Sequence, residues 1–137
     1  MRRLIALAII AMLAGCGPSE EADRIAVIAV MHKVNDKPGL PVDVGPVVVE
    51  GGHAVADWTQ GEMGGRALLV RKDHGWVITL CAGDILRTRD GLVRLGVPDA
   101  QAATLADELA AAEASVLPGR LKRMAEFQGL MRMDEGH

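Results

Sequence analysis

The sequence predicts an α+β domain: a four-stranded antiparallel meander covered by helices, one before the sheet and two or three after it. Three observations carry this. The stretch from His53 to Gly83 holds strand-like blocks cut by two glycine-bearing connections, Gly61 to Gly65 and Asp73-His74-Gly75. Beyond Gly83 the composition turns to helix formers, with alanine dominating residues 99–116. Ahead of the sheet, Glu20, Glu21 and Asp23 precede an apolar run and Lys33 and Lys37 follow it, the order that a helix dipole favours. At 137 residues, half of them apolar, the chain is one domain by length and can build a core without a metal or a disulfide. Trp58, Trp76 and Phe127 are its only aromatics and Tyr is absent, so the core is packed from Ala, Val, Leu, Ile and Met.

The chain opens on a segment that does not belong to this core. Arg2 and Arg3 are followed by an unbroken apolar run over residues 4–14 and then by Leu13-Ala14-Gly15-Cys16. The run is too short to cross a hydrocarbon layer of about 30 Å as a helix, so residues 1–15 read as a signal peptide. The Leu-Ala-Gly-Cys tetrad resembles the bacterial lipoprotein processing box, in which the cysteine is acylated and becomes the first residue of the mature chain. Cys16 is therefore expected to be the lipidation site at the head of a tether over 16–22. Two or more acyl chains, palmitate among them, anchor a protein stably to a membrane. The expected location is the envelope, facing the periplasm, and Gly17 in place of an acid after the cysteine points to the outer membrane.

Removing Arg2 and Arg3 from the fifteen basic residues leaves thirteen against eighteen acidic ones, a net charge of −5. Such a domain, without a basic stripe, is a poor nucleic-acid ligand, and none is expected. With Cys16 acylated, Cys81 has no partner for an internal disulfide.

The single domain is expected over 23–130. Residues 24–35 form the first helix, ended by Pro38. Strands follow at 44–50, 53–60, 66–72 and 76–82, pairing as antiparallel neighbours. Residues 84–94 read as one helix stopped by Gly96. A stronger helix opens at Pro98-Asp99, with Ala102, Leu105, Leu109, Ala112 and Val116 on one stripe. Pro118-Gly119 breaks it, and a third helix runs from Arg120 to about Phe127. The final ten residues have no period, and 131–137 read as a methionine- and histidine-containing tail.

That tail carries the most suggestive chemistry. Met131 and Met133, at i and i+2, share one side of an extended chain, and His137 can close a loop around an ion. Thioethers suit Cu(I) and need no deprotonation, so Cu(I) is the expected metal. Cys81, in the last strand, is first of all a buried thiol, with a soft-metal role beside Met63 or a tail methionine as the sharper reading. Strict alternation puts Val77, Thr79 and Cys81 on one face and Trp76, Ile78 and Leu80 on the other. Met31 reads as core and the adjacent His32 as surface. His53, Asp57 and Thr59 alternate along one face of the second strand. An Asp–His set suits acid–base work, but a strand's solvent face carries the same residue types, and that is the expectation here. The glycine-rich loop at 61–65 enters a strand, not a helix, so it is a hairpin loop and not a phosphate cradle.

Ordered blocks along the mature chain resemble the bacterial copper uptake system-associated family: Asp43-Val44-Gly45-Pro46, Ala56-Asp57-Trp58-Thr59-Gln60-Gly61, Gly64-Gly65-Arg66-Ala67-Leu68-Leu69, Leu80-Cys81-Ala82-Gly83-Asp84, Gly96-Val97-Pro98 and Phe127-Gln128-Gly129. The resemblance implies a small periplasmic protein that works beside copper-import membrane components. It supplies no catalytic residues, and no enzymatic activity is expected. The helix-then-meander order also resembles the cystatin-like and nuclear-transport-factor-like cone folds. Two further readings stay open: a docking module whose partner reads the Trp58 hairpin, and a dehydratase- or isomerase-type enzyme with Asp57 or His53 as base.

Overall fold

The computed structural model describes residues 18–134, so Cys16 and His137 lie outside the described residues. The elements are α1 (Pro18–Asn35), β1 (Asp43–Glu50), β2 (His53–Gln60), β3 (Met63–Lys72), β4 (Gly75–Ala82), a 3-10 turn (Asp84–Arg87), α2 (Arg89–Arg94), α3 (Asp99–Glu113), α4 (Pro118–Ala125) and β5 (Leu130–Arg132). The expected α+β architecture forms, with helices covering an antiparallel meander. The sheet has five strands in the order β1-β2-β3-β4-β5.

Each face of the sheet has its own core. Val49, Ala54, Ala56, Ala67, Leu69 and Ile78 turn one way, against Val27 and Met31 of α1. Val48, Val55, Leu68 and Leu80 turn the other way, against Leu86, Leu92, Leu105 and Leu109 from the helices that follow. Alternating strand residues thus supply two cores from one sheet, and each fully buried leucine contributes about 1.5–3 kcal/mol. Small alanines in β2 and β3 let α1 approach closely, in place of the aromatic bulk the chain lacks. Among the described residues no helix is long and apolar enough to cross a membrane.

Four expectations need correction. The tail is not irregular from Met131: Leu130–Arg132 adds a fifth strand, pairing Leu80 with Arg132, Cys81 with Met131 and Ala82 with Leu130. Without it, the backbone of β4 at those residues would be an open edge. Residues 84–94 do not form one helix. Thr88 ends the 3-10 turn and caps α2, its Oγ1 accepting from the Gly91 amide. Next, α3 stops at Glu113, which leaves Val116 beyond it. Finally, strict alternation fails in β4. Leu68 pairs with Leu80 but Leu69 pairs with Ile78, so Thr79 is the extra residue of a bulge. Cys81 therefore joins Trp76 and Ile78 on the α1 face, while Leu80 faces α3.

From α3 the chain must travel from one face to the other. It does so around the end of the β2–β3 hairpin, where α4 runs over Gly64 and Phe127 comes down on Gly65. A Cβ on Gly64 would stand 2.9 Å from the backbone of Arg123 and Met124, and one on Gly65 would stand 2.9 Å from the Phe127 ring. The two glycines are thus a requirement of the crossing, and the crossing delivers β5 to the edge of β4.

Candidate functional site: a sulfur-lined cavity

Where β5 joins β4, the end of α1 stands off the sheet and leaves a cavity of about 250 Å³. Its lining includes Cys81, Met63, Met131 and Met133, with Trp58 and Phe127 as aromatic walls and Val34 to Lys37 as cover. Backbone geometry explains the convergence. Cys81 and Met131 are directly opposed across the antiparallel pair, which sets their Cβ atoms about 4.5–5.5 Å apart. Met133 is two residues further on, on the same face, its amide donating to the Thr79 carbonyl at 2.8 Å. Met63 opens β3 on the same face but well along the strand from Ala67, the partner of Cys81. It serves as a rim residue, not an immediate neighbour of the thiol.

The four sulfur residues form a gradient of access. Cys81 is 5% exposed, Met133 is half-buried, Met131 is 54% exposed and Met63 is 62% exposed. Met63 and Met131 also border a second cavity on the outside of the hairpin, with Glu62, Arg123 and Glu126. Burial pushes the Cys81 thiol up to about 11, and the Trp58 indole beside it acts in the opposite direction. The floor is fixed by Gln60, whose Nε2 donates to the carbonyls of Asn35 at 2.8 Å and Leu40 at 2.9 Å, tying the end of α1 to β2.

Three of the expected ligands, Cys81, Met131 and Met133, are thus brought together, with Met63 at the mouth. Cys16 and His137 lie outside the described residues. Met31 is core, and His32 is a surface residue that pairs with Asp36 at 3.1 Å. Among the described residues, no group of three or more His, Cys, Asp and Glu side chains could hold a metal ion. The converging side chains are instead thioethers and one thiol.

The expected solvent face of β2 is overturned. Asp57 is 0% exposed and Thr59 is buried, because α3 and α4 cover this end of the sheet. Arg66 lies between two acids, its Nε 2.7 Å from Glu113 Oε1 and 3.5 Å from Asp57 Oδ1. Asp84 approaches Arg66 at 3.1 Å, and Arg87 approaches the other Glu113 oxygen at 3.1 Å. Burial first, and then the neighbouring Glu113 carboxylate, push Asp57 up to about 8. Burial acts to raise Glu113 too, but the neighbouring Asp57 and Arg66 outweigh it and hold this carboxylate below its ordinary value. Neither Asp57 oxygen makes a well-formed hydrogen bond, and a carboxyl buried this way beside a second acid favours its neutral form while Glu113 stays ionised. Asp57 is enclosed on all sides, while His53 lies at the other end of β2, half-buried and bonded to Gln101 at 2.7 Å. The two do not form an acid–base set. Trp58 is equally inaccessible to a partner, being 8% exposed.

Sequence reasoning missed Trp58 and Phe127 as walls of the site and Asp57, Arg66 and Glu113 as a buried network. A signal for the network existed: Arg66 and Glu113 are lone charges inside apolar runs, Gly-Arg-Ala-Leu-Leu and Ala-Ala-Ala-Glu-Ala. No protein-family model, no curated protein and no solved structure matches this chain.

Proposed function

We propose that this protein is a lipid-anchored accessory protein of copper uptake in the bacterial envelope. In this reading it binds Cu(I) through Cys81, Met131 and Met133 and exchanges it across a mouth formed by Met63. The observation that carries the reading is one cavity lined by four sulfur side chains, with a buried thiol at its back and exposed thioethers at its front. Soft sulfur ligands select Cu(I) over harder ions. Charge points the same way. One thiolate with neutral thioethers makes a complex of zero net charge with a monovalent ion, and the burial of Cys81 disfavours the residual charge that a divalent ion would leave. The Leu-Ala-Gly-Cys tetrad and the family-like blocks support anchoring at Cys16 and work beside a copper-import membrane protein.

The test is anaerobic titration of the full chain in detergent with Cu(I) against bathocuproine disulfonate. Binding tighter than micromolar is expected, with strong losses in Cys81→Ser and in Met133→Ala. Weaker binding by the wild type, or unchanged binding by both variants, overturns the proposal.

A second reading rests on the rim. Met63 and Met131 are exposed apolar side chains at the cavity mouth, a surface suited to a docking module for an envelope transporter. Recovery of one transporter by the Cys81→Ser variant as well as by the wild type would favour docking alone.

A further inference from the structure

One buried polar group at the sulfur cavity makes no well-formed hydrogen bond. Trp58 Nε1–H is enclosed and reaches no acceptor with full hydrogen-bond geometry, although it lies close enough to the Cys81 thiol to act on it; a buried donor left in this state carries a desolvation cost. The ring has no freedom to seek an acceptor elsewhere. It stands on β2 opposite Gly65, whose missing Cβ leaves room for it, and Phe127 meets it edge-on at 5.9 Å and 82°. The indole and Cys81 line the same cavity. A thiol sulfur is a weak acceptor, whereas a thiolate accepts strongly from an N–H.

We infer that Trp58 is the positioning residue of the sulfur site, its indole N–H donating to the Cys81 sulfur when that sulfur is bound to metal as a thiolate. The inference rests on the copper reading and deepens it. On binding, the Cys81 S–H bond breaks and its proton leaves to solvent. A sulfur lone pair forms the bond to Cu(I), and no oxidation state changes. The N–H then orients the sulfur and offsets its charge at the buried back of the cavity, as hydrogen bonds from surrounding groups do for metal ligands generally. Trp76 is the internal control, because its Nε1 already donates to Asp23 at 3.4 Å and Arg71 lies over its ring at 4.9 Å.

Cu(I) is diamagnetic, so the indole resonances of the full chain in detergent can be followed as Cu(I) is added anaerobically. The Trp58 Hε1 signal should move downfield on loading while that of Trp76 stays in place. Trp58→Phe should weaken Cu(I) binding about tenfold, the worth of one hydrogen bond to a charged acceptor. The sulfur-to-copper absorption band should also move to lower energy. If the Phe variant does not fold, the wild-type resonance decides. A Trp58 signal that stays in place in a protein that binds Cu(I) through Cys81 overturns this inference alone. Absence of binding by the wild type, or undiminished binding by Cys81→Ser, overturns the copper reading and the inference with it.

Discussion

Replacing Asp57 by Asn separates the buried acid pair from its proton. In the folded chain Asp57 keeps its proton up to about 8, whereas its ordinary value is 3.8. The folded state therefore holds a proton that the unfolded chain releases across that window, and stability falls as pH rises through it. The slope is at most about 1.4 kcal/mol per pH unit. Asn has the same shape, its amide can donate to Glu113, and it does not ionise. The stability of Asp57→Asn relative to wild type should accordingly rise with pH, by up to about 2–3 kcal/mol between about pH 5 and pH 7. Glu113 works in the opposite sense. Its lowered value supplies stability that is present above the ordinary carboxylate range and lost as pH falls through the folded value, below this window and in both proteins. Urea unfolding followed by far-ultraviolet circular dichroism, at constant ionic strength across the window, measures the difference. A difference that stays flat from about pH 5 to about pH 8 refutes the retained Asp57 proton.

Arg66→Met removes the cation that lies between Asp57, Glu113 and Asp84. Breaking a buried pair from one side costs about 3–5 kcal/mol, to be read from the same urea curves; a loss below about 1 kcal/mol would show that the acids do not need it. Gly65→Ala places a Cβ 2.9 Å from Phe127 and 3.0 Å from Trp58. Such overpacking costs about 1–3 kcal/mol and should shift tryptophan emission. Gly52→Ala is the control, since its Cβ would meet nothing within 4 Å, and equal melting temperatures for the two variants would contradict the close crossing.

Most of the fold was legible because its signals are local. Glycine-bearing turns mark the hairpins, acids and bases mark the ends of α1, and the spacing of Ala102, Leu105 and Leu109 marks the buried stripe of α3. What stayed hidden depends on partners distant in the chain. The alternation of His53, Asp57 and Thr59 is the pattern of a solvated face, and only the arrival of α3 and α4 makes it an interior. The facing of Cys81 depends on a bulge at Thr79 that no turn residue announces. A strand as short as Leu130–Arg132 has no period of its own and acquires a conformation only from the edge of β4. The sulfur residues themselves were readable from the sequence, but not which of them meet. Cys81 and Met63 appeared as the lesser candidates beside the tail, and the structure joins the two groups in one cavity.

The way β5 is held has a consequence for how a bound ion would leave. The strand is short, its side chains are exposed, and it is paired along one edge only, so its opening lies at the cheap end of the molecule's local unfolding events. Cys81 sits instead in a strand paired through most of its length with β3, deep in the sheet. Peeling back β5 would withdraw Met131 and Met133 together while the thiol kept its place. The site is thus divided along a strand boundary into a fixed half and a detachable half. On the copper reading proposed above, release would lower the number of ligands in one step and leave the ion on a single sulfur.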